Sequence, residues 1–379
     1  MITGNSVKVF KNWLYIISYV NNSPGFYWYF KELADRGIFV KVLFLHWDEP
    51  ELQKKVEELG HSCYYFRYRG KKDLVTVFWR VLRLIRKLKP EVVHTHLFDA
   101  SIIGLTAARI TGVKIRVHTR HHASQHHVYN PGTVKFDRLI NRSSTAIIAI
   151  SANIRTLLIE KEHVHPSKIH VVYHGFDPGY FSEVGSERIE ALRQKYNLVN
   201  HIPVIGVISR YTHWKGIQFI IPAFKRMLAD YPDALLFLAN ARGDYAAEIK
   251  EMLKEIPATN YREVDYEADV PAMYALFDVF VHVPVNDHAE AFGQTYVEAL
   301  LAKRTCIFTL SGIAAEFVAD GINALVVPYC DSDTIYEKLK WVLEHTQSGS
   351  QMASKGFDDA SRLFGIEVLL TKTLAVYAA

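Results

Sequence analysis

Short apolar runs alternate with segments of helical period along the first half of the chain. Apolar runs at 13–19 and 39–45 predict strands, and the segment 26–36 between them predicts an amphipathic helix that ends at Gly37. Further β-branched runs follow at 91–94, 115–118, 146–150 and 169–173. Such alternation predicts parallel strands joined by right-handed crossovers, and therefore a doubly wound α/β domain.

The second half of the chain begins the same alternation again. Apolar runs at 204–209, 234–238 and 261–264 predict strands, and the run 274–281 leads into a loop and another helix. Between the halves, the glycine- and proline-rich segment 174–181 predicts a linker. The pattern therefore predicts two domains, at 1–180 and 181–360, with a hinge that allows closure around a ligand.

Two carboxylates flank a glycine turn in the second half. Glu290 lies in the loop that leaves an apolar run, and Gly293 opens a helical pattern that places Glu298 in the second turn. Helical side chains lean toward the N-terminus, so Glu298 can point toward the loop of Glu290. The helix start offers free backbone amides and the positive end of the dipole to a phosphate. This combination predicts a site for a sugar attached to a phosphate.

Two cations follow the strand predicted at 204–209. Arg210 and Lys215 stand just beyond it, ahead of a helix that begins at Ile217. Fixed cations at this position can offset the charge on a departing diphosphate without magnesium. The alternative is that both are ordinary surface cations.

Histidines cluster behind two strands of the first half. His96 follows one, and His118, His121 and His122 follow the next. Histidines also serve as polar caps on strand ends, so a structural role is the alternative. The segment 118–127 holds five histidines, which raises the possibility of a metal site. We expect no metal, because no acidic or cysteine partner stands at a zinc-like spacing.

Two other segments of the first half suggest binding. The turn at 21–25, Asn-Asn-Ser-Pro-Gly, could bring backbone amides near Gly25 to a phosphate, although an ordinary strand-to-helix turn explains it as well. Segment 74–89 predicts a helix with one apolar face and one basic face, with Trp79 at their boundary. Such a helix can lie on an anionic membrane. The alternative is a crossover helix whose apolar face packs on the sheet.

Composition narrows the class of protein. The 379 residues carry 49% hydrophobic and 22% charged residues, as expected for a globular protein, and a formal charge of +4 does not suggest a nucleic-acid partner. Three widely spaced cysteines fit reduced thiols. Residues 1–6 lack the order of a signal peptide, and no apolar run approaches the roughly 18 residues of a membrane span. We expect a cytoplasmic protein that could act at the inner face of the membrane.

The motifs resemble one enzyme family. Glu290-Ala291-Phe292-Gly293 with Glu298 is similar to the E-x-F-G-x-x-x-x-E signature of retaining glycosyltransferases of family 4, which have the GT-B fold. Arg210 and Lys215 match the R-x-x-x-x-K-G pattern of that family, and segments 311–316 and 320–324 follow its s-G-i-x-E and d-g-x-n-G order. Departures include Pro24-Gly25 in place of a glycine pair and Ala324 in place of the last glycine.

The resemblance implies a fold and a reaction. The fold would be two Rossmann-like domains facing across a cleft, with a C-terminal helix at 361–379 crossing back to the first domain. The reaction would move a sugar from a UDP- or GDP-linked donor to a hydroxyl of a carbohydrate or lipid-linked glycan, with retained configuration and without metal or other cofactor. The loop at 265–267, where the base usually lies, leaves the base open.

The resemblance also assigns roles to individual residues. His121 would lie near the reacting carbon, with His118 and His96 as further candidates. Glu290 and the backbone of the residues after it would orient the sugar, and Glu298 would bind the ribose. The donor-binding set is Arg210, Lys215, Glu298, Phe292, Gly293, Gln294, Gly25 and Gly312. Two other functions stay open: a nucleotide-sugar epimerase of the same fold, and a catalytically silent scaffold that binds nucleotide sugar.

Overall fold

The chain divides into two compact units in a computed structural model that describes residues 12–123, 127, 130–199 and 201–379. One unit ends at Phe176 and takes in Phe364–Ala379, and the other is Asp177–Leu363. The N-terminal residues 1–6, on which the signal-peptide expectation rests, lie outside the described residues, as does His126 of the histidine-rich segment.

The first unit contains a seven-stranded parallel sheet in the order β3-β2-β1-β4-β5-β6-β7. Consecutive strands lie on both sides of β1, which is the arrangement of a doubly wound fold. Its strands are β1 (Trp13–Ser18), β2 (Lys41–His46), β3 (Ser62–Arg67), β4 (Val92–His96), β5 (Ile115–Arg120), β6 (Ala146–Ala149) and β7 (Ile169–Val171). Its helices are α1 (Pro24–Asp35), α2 (Glu51–Glu58), α3 (Leu74–Leu88), α4 (Phe98–Ile110), α5 (Val134–Ser143) and α6 (Ala152–Glu160).

The second unit contains a six-stranded parallel sheet in the order β10-β9-β8-β11-β12-β13. Its strands are β8 (Val204–Ile208), β9 (Leu235–Ala239), β10 (Tyr261–Val264), β11 (Val279–His282), β12 (Thr305–Phe308) and β13 (Leu325–Val326). Its helices are α7 (Pro178–Ser182), α8 (Ser186–Lys195), α9 (Ile217–Met227), α10 (Ala246–Leu253), α11 (Val270–Ala275), α12 (Gln294–Leu301), α13 (Ala314–Phe317), α14 (Ser332–Glu344) and α15 (Thr346–Phe364), whose last residue belongs to the first unit.

Both sheets are covered by helices on their two faces. Every residue of β1, β4, β9, β11 and β12 is buried. Burial on both faces explains why β1 and β9 are nearly continuous apolar runs and not alternating ones. The prediction of two parallel α/β domains is confirmed. The edge strand β3 was not predicted, because its sequence mixes serine, cysteine, tyrosine and arginine on a half-exposed edge.

The last helix, α16 (Ile366–Ala378), packs within the first unit. Leu370, Val376 and Tyr377 are buried and join the core cluster that contains Trp13 and Tyr15. Gly175 lies against this helix so closely that an added Cβ would stand 2.8 Å from side-chain atoms of Ile366 and Leu369. The segment that follows β7 and contains Gly175 is therefore packed against the last helix.

Most of the predicted apolar face of helix α3 is buried inside the protein. Val77, Val81 and Ile85 are buried in a core cluster against the sheet, whereas Trp79 is 52% exposed and Val75 is also exposed. The arginines of the basic face are exposed. Packing on the sheet thus accounts for the apolar period of α3. Within the described part of the chain, no helix combines the length and the apolar character that a membrane crossing requires.

Candidate active site

The second sheet brings the loops of several parallel strands to one edge. The strands β8, β11 and β12 are neighbours, and they end at Ile208, His282 and Phe308. The carboxyl ends of parallel strands in doubly wound domains are where ligands bind. The loop after β8 carries Arg210 and Lys215, and the loop after β11 carries Glu290.

Lys215 and Glu290 form an ion pair at this edge. The Nζ atom of Lys215 lies 2.5 Å from Oε1 of Glu290, and Nε2 of His282 lies 3.0 Å from the same oxygen. The other ring nitrogen of His282 lies 3.3 Å from the hydroxyl of Ser209. Glu290 is only 8% exposed, and its backbone amide donates to the hydroxyl of Ser311. The carboxylate is therefore held by Lys215 from the loop after β8 and by His282 at the end of β11, and the backbone of Glu290 is held by Ser311 from the loop after β12.

The charges of this group follow from burial and pairing. Burial alone would raise the pKa of Glu290, but the charge of Lys215 and the hydrogen bond from His282 outweigh it and lower the pKa to about 2. Burial lowers the pKa of His282, although Glu290 opposes the shift. At neutral pH the group thus contains an ionised carboxylate, an ammonium and a neutral imidazole.

Glycines allow the loops around Glu290 to approach one another. Gly312 has φ +57°, and an added Cβ there would lie 2.7 Å from Cβ of Glu290 and 2.7 Å from the carbonyl oxygen of Phe292. Gly293 has φ +85°, and its Cβ would lie 2.6 Å from the ring of Tyr296. Both positions need glycine for conformation and for space. The structure therefore brings the predicted residues Gly293, Phe292 and Gly312 together with Glu290.

The helix that follows has no side-chain cap at its N-terminus. Gly293 is the N-cap of α12 and offers no side chain to its first amides. Gln294, the first helical residue, is exposed, and Phe292 is buried with its carbonyl accepting from Ile313 at 2.9 Å. The helix start that was predicted to receive a phosphate is therefore present, with its dipole directed at the loop of Glu290.

Glu298 and Arg210 do not join the group around Glu290. Glu298 is partly buried and accepts a hydrogen bond of 2.9 Å from the hydroxyl of Tyr274, and burial raises its pKa to about 7. Arg210 is exposed, and its side chain has no ion-pair partner among the described residues. Lys215 and Glu290 are therefore paired with each other, whereas Glu298 contacts Tyr274 and Arg210 stands apart from both.

The first unit gathers several histidines at the carboxyl edge of its own sheet. Nδ1 of His96 lies 3.2 Å from Nε2 of His121, and the ring of His121 stacks on His174 at 5.4 Å. Burial, helped by His174 and His96, lowers the pKa of His121 well below its ordinary value. The predicted residue His121 is thus a neutral imidazole that can donate and accept.

His118 has a more enclosed position than His121. It is buried, and its Nδ1 lies 2.9 Å from the hydroxyl of Ser101 on helix α4. Burial lowers its pKa well below the ordinary value, and Arg120 adds to the effect. This environment fits a polar contact between strand and helix, while His121 stands at the edge.

A buried arginine fixes the loop that carries His121. Arg120 is fully buried and pairs with Asp137 at 2.7 Å and with Glu162 at 2.6 Å. Its Nε also donates to the carbonyl of His122 at 3.1 Å. Two carboxylates from two different helical regions therefore hold the end of β5. Sequence reasoning missed this cluster, because the carboxylates stand far from Arg120 in the chain.

Gly25 occupies the first turn of α1, where Ser23 is the N-cap. A Cβ added there would meet only the hydroxyl of Ser23 at 4.0 Å, so packing does not require glycine at this position. Its predicted contact with a phosphate stays a prediction. Among the described residues, no group of three or more His, Cys, Asp or Glu side chains is arranged to hold a metal ion.

His282 and His94 were not predicted as site residues. Each belongs to a buried strand, and each makes a polar contact through its ring. His282 contacts Glu290, and His94 contacts Thr119 at 2.7 Å. For His282 the available signal was a histidine at the end of an apolar run, whereas His96 was identified from its position just beyond a predicted strand.

Comparison with known proteins agrees with this architecture. Residues 29–180 match the family model Glycosyltransferase Family 4, and residues 188–359 match Glycosyl transferases group 1. The chain is 25% identical over 337 residues to the capsular polysaccharide biosynthesis glycosyltransferase CapM of Staphylococcus aureus, covering 87% of both chains. It is 27% identical over 275 residues to the alpha-monoglucosyldiacylglycerol synthase of Acholeplasma laidlawii, covering 66% of this chain and 67% of that one.

A solved structure shares the fold. The HepE protein of Anabaena, crystallised with UDP and glucose, superposes with a TM-score of 0.80 at 20% identity, covering 96% of this chain and 98% of that one. The two parallel α/β units and the fold that they share with this structure define a protein of the GT-B class. The two family matches make the chain a glycosyltransferase of that class, and its second unit a glycosyl transferases group 1 domain.

Proposed function

We propose that the protein transfers a sugar from a nucleotide diphosphate donor to an acceptor hydroxyl, with retained anomeric configuration and without a metal ion. The observation that carries this proposal is the group of Lys215, Glu290 and His282 beside the start of α12. It combines a fixed cation, an ionised carboxylate and a helix start without a side-chain cap at the carboxyl edge of a parallel sheet.

Lys215 and Arg210 would bind the diphosphate. As the bond between the anomeric carbon and the phosphate oxygen breaks, negative charge grows on the leaving group. Lys215 is only partly exposed, so its charge is weakly screened there, and Arg210 has no ion-pair partner among the described residues that would compete. Two side-chain cations and a helix dipole supply charge that a metal ion would otherwise bring.

Glu290 would orient the donor sugar. Its carboxylate is ionised and held by Lys215 and His282, so it can accept from sugar hydroxyls with little reorganisation. The acceptor oxygen forms a bond to the anomeric carbon on the face that the phosphate leaves, and the acceptor proton passes to a phosphate oxygen. No protein nucleophile is needed in this scheme.

Glu298 would bind the ribose, and His121 would act near the reacting carbon. Glu298 has a hydrogen bond from Tyr274, which leaves its second oxygen to accept from a hydroxyl. Because His121 is neutral, its ring N–H can donate to an oxygen of the sugar without adding charge.

The relatives suggest the classes of donor and acceptor. HepE was crystallised with UDP and with UDP-glucose, which makes a UDP-linked hexose the first donor to test. The relatives act in capsular polysaccharide and glycolipid synthesis, which favours a glycan or a lipid as acceptor. The exposed basic face of α3 with Trp79 supports a weak contact with an anionic membrane.

Thermal stabilisation of the purified chain by nucleotides tests the donor site. We expect a higher melting temperature with one nucleotide diphosphate and its sugar conjugate, unchanged by EDTA, because a ligand of the folded state stabilises it. Absence of any shift in folded protein would contradict the proposal, and loss of the shift with EDTA would contradict the metal-free form of it.

Lys215→Ala then tests the assignment of the diphosphate. It should lower turnover by roughly 100-fold or more, the usual effect of losing one stabilising group for developing charge. Lys225→Ala is the matched control, since Lys225 forms an exposed ion pair with Glu255. NMR of the product's anomeric proton decides between retention and inversion.

A further inference from the structure

Three aromatic side chains form a shelf at the carboxyl edge of the first sheet. Tyr19 follows β1, Trp47 follows β2 and Tyr68 follows β3, and these three strands are adjacent. The rings of Tyr19 and Trp47 lie 5.6 Å apart at 31°, and those of Tyr19 and Tyr68 lie 5.6 Å apart at 38°. We call this set the aromatic shelf.

The aromatic shelf is partly open to solvent. Trp47 is 49% exposed and Tyr19 is 36% exposed, while Tyr68 is buried beneath them. Packing on the core therefore does not account for the two outer rings. Large aromatic side chains that stay exposed and ordered are typical of binding sites.

Trp47 is contacted through both its backbone and its ring. The carbonyl of Trp47 accepts from the hydroxyl of Tyr65 at 3.2 Å and from Nε of Arg67 at 3.1 Å. The ring of His46 lies 4.1 Å from that of Trp47. These contacts fix the backbone of Trp47 at the end of β2 and pack its ring against His46.

Backbone strain marks the same edge. Tyr19 has φ +57°, and Leu97, which follows the adjacent strand β4, has φ +71°. Bulky residues rarely adopt positive φ, and such strain is concentrated at ligand sites. The backbone conformation that presents the ring of Tyr19 is therefore less favourable than an ordinary one.

A carboxylate lies beside the shelf. Burial raises the pKa of Tyr19 to about 12, and the charge of Asp99 adds to that increase. Burial also raises the pKa of Tyr68, again with a contribution from Asp99. Asp99 stands in the first turn of α4 and is partly exposed. Apolar rings and hydroxyl-binding groups are therefore combined in one place.

We infer that the aromatic shelf, with Asp99, binds a pyranose ring of the acceptor. A pyranose has an apolar face of C–H groups that fits an aromatic ring and an edge of hydroxyls that fits a carboxylate and phenols. A bare acyl chain would gain nothing from Asp99 or the phenol hydroxyls. The strand β4, next to β1, ends at His96, which contacts His121, so the shelf adjoins the histidines of the same sheet edge.

This inference rests on the proposed function and narrows it. The acceptor is a glycan, or a lipid that already carries a sugar, and not an unglycosylated lipid. Trp47 and Tyr19 determine which acceptors are used, while Lys215, Glu290 and Glu298 of the second unit bind the donor.

Saturation-transfer NMR on the full chain tests the inference with methyl glycosides of glucose, galactose, mannose and N-acetylglucosamine. We expect at least one glycoside to receive saturation on its ring protons when protein aromatic protons are irradiated. Trp47→Ala should weaken that binding roughly fivefold to thirtyfold, the range for loss of an aromatic anchor. Trp79→Ala is the matched control, because Trp79 is equally exposed but lies on helix α3.

Two results would overturn the inference: no glycoside bound by the folded wild-type chain, or equal binding by the Trp47 and Trp79 variants. Thermal shifts with nucleotides separate this inference from the proposed function. Trp47→Ala should keep the nucleotide shift of the wild type. A wild-type chain that binds glycosides through Trp47 but no nucleotide would contradict the donor assignment and leave the acceptor site standing.

Discussion

The hydroxyl of Tyr377 lies 2.6 Å from Nδ1 of His94, although 283 positions separate the two residues. The same hydroxyl lies 2.7 Å from that of Tyr15, and the other ring nitrogen of His94 lies 2.7 Å from the hydroxyl of Thr119. All four groups are buried. The last helix is therefore joined by polar contacts to the centre of the first sheet, and the ring of His94 lies 4.3 Å from that of His96.

Tyr377→Phe should destabilise the protein by about 1–3 kcal/mol, because it leaves Nδ1 of His94 and the hydroxyl of Tyr15 short of a buried partner. Urea unfolding measures the change. Tyr336→Phe is the control, since its hydroxyl contacts Asp230 at an exposed position and should matter by less than about 0.5 kcal/mol. Equal stability of the two variants would show that the buried contact contributes nothing net.

Lys215→Met should lower the free energy of unfolding by about 1–3 kcal/mol at pH 7, because a largely buried carboxylate loses its cation. The pKa of Glu290 is lowered to about 2, so its favourable contribution is present above its ordinary value near 4.5 and is lost as the pH falls toward 2. The difference between wild type and variant should therefore shrink in acid.

Urea titrations from pH 7 to pH 3 measure this difference. Lys225→Met removes the exposed pair with Glu255 and should cost less than about 1 kcal/mol at every pH. A Lys215 variant whose loss of stability is the same at pH 3 and at pH 7 would contradict the charge assignment of Glu290.

Glu298→Gln should stabilise the protein at alkaline pH while weakening nucleotide binding. The pKa of Glu298 is raised to about 7, so the folded state holds a proton that the unfolded state has released, and stability falls as the pH rises from about 4.5 to 7. The amide does not titrate and can still accept from Tyr274. We expect an advantage of about 1–3 kcal/mol at pH 8 and little difference at pH 4.5.

Melting temperatures of both proteins across this range, with and without nucleotide, check the two effects. Wild type and variant with parallel pH profiles would mean that Glu298 is ionised at neutral pH. Unchanged nucleotide affinity in the variant would remove Glu298 from the donor site.

The parallel sheets could be predicted from the sequence because their strands are buried on both faces. Such strands are continuous apolar runs, as at Val204–Ile208, and they need no long-range information. The edge strand Ser62–Arg67 gives no such signal, because pairing with β2 and not burial determines it. The last two strands of the second sheet were also missed: β12 begins with threonine and cysteine, and β13 has only two residues.

The candidate site could be predicted only where residues close together in the sequence form it. The motif from Glu290 to Glu298 placed the loop and the helix start correctly. That both carboxylates face one ligand stays a prediction, and the motif did not reveal their protein partners, Lys215 for Glu290 and Tyr274 for Glu298. Contacts such as Tyr377 with His94 depend on how distant segments pack, which no local pattern records.

Removing two arginines from helix α3 should weaken binding to anionic vesicles if the basic face contacts a membrane. Arg83 and Arg86 are exposed on that face, and each charge near such a surface contributes about 1 kcal/mol. Arg83→Gln with Arg86→Gln should lower the partition coefficient by roughly 30-fold. Sedimentation with phosphatidylserine vesicles at low salt measures it.

The control double variant is Arg155→Gln with Lys161→Gln, which removes two exposed charges from the region of helix α6. An equal loss in both double variants would mean that net charge alone attracts the protein. No binding by the wild type would exclude the membrane contact.

Gly312→Ala should be much more harmful than Gly321→Ala, although both glycines have positive φ. At Gly321, φ is +72° and an added Cβ would meet no atom within 4 Å, so the variant bears only the conformational cost of about 1–2 kcal/mol. At Gly312 the same cost applies, and the Cβ would also lie 2.7 Å from Cβ of Glu290 and from the carbonyl of Phe292. Displacing these groups should cost a further 1–3 kcal/mol or so.

The two variants therefore separate backbone strain from disturbance of the site. Gly321→Ala should keep wild-type nucleotide affinity and turnover, whereas Gly312→Ala should lose both even at a temperature where it is fully folded. Circular dichroism establishes folding, and calorimetric titration with the nucleotide measures affinity. Similar affinities in the two variants would show that the position of Glu290 is not critical for the donor, which would leave the Lys215 and Glu290 pair as a structural contact.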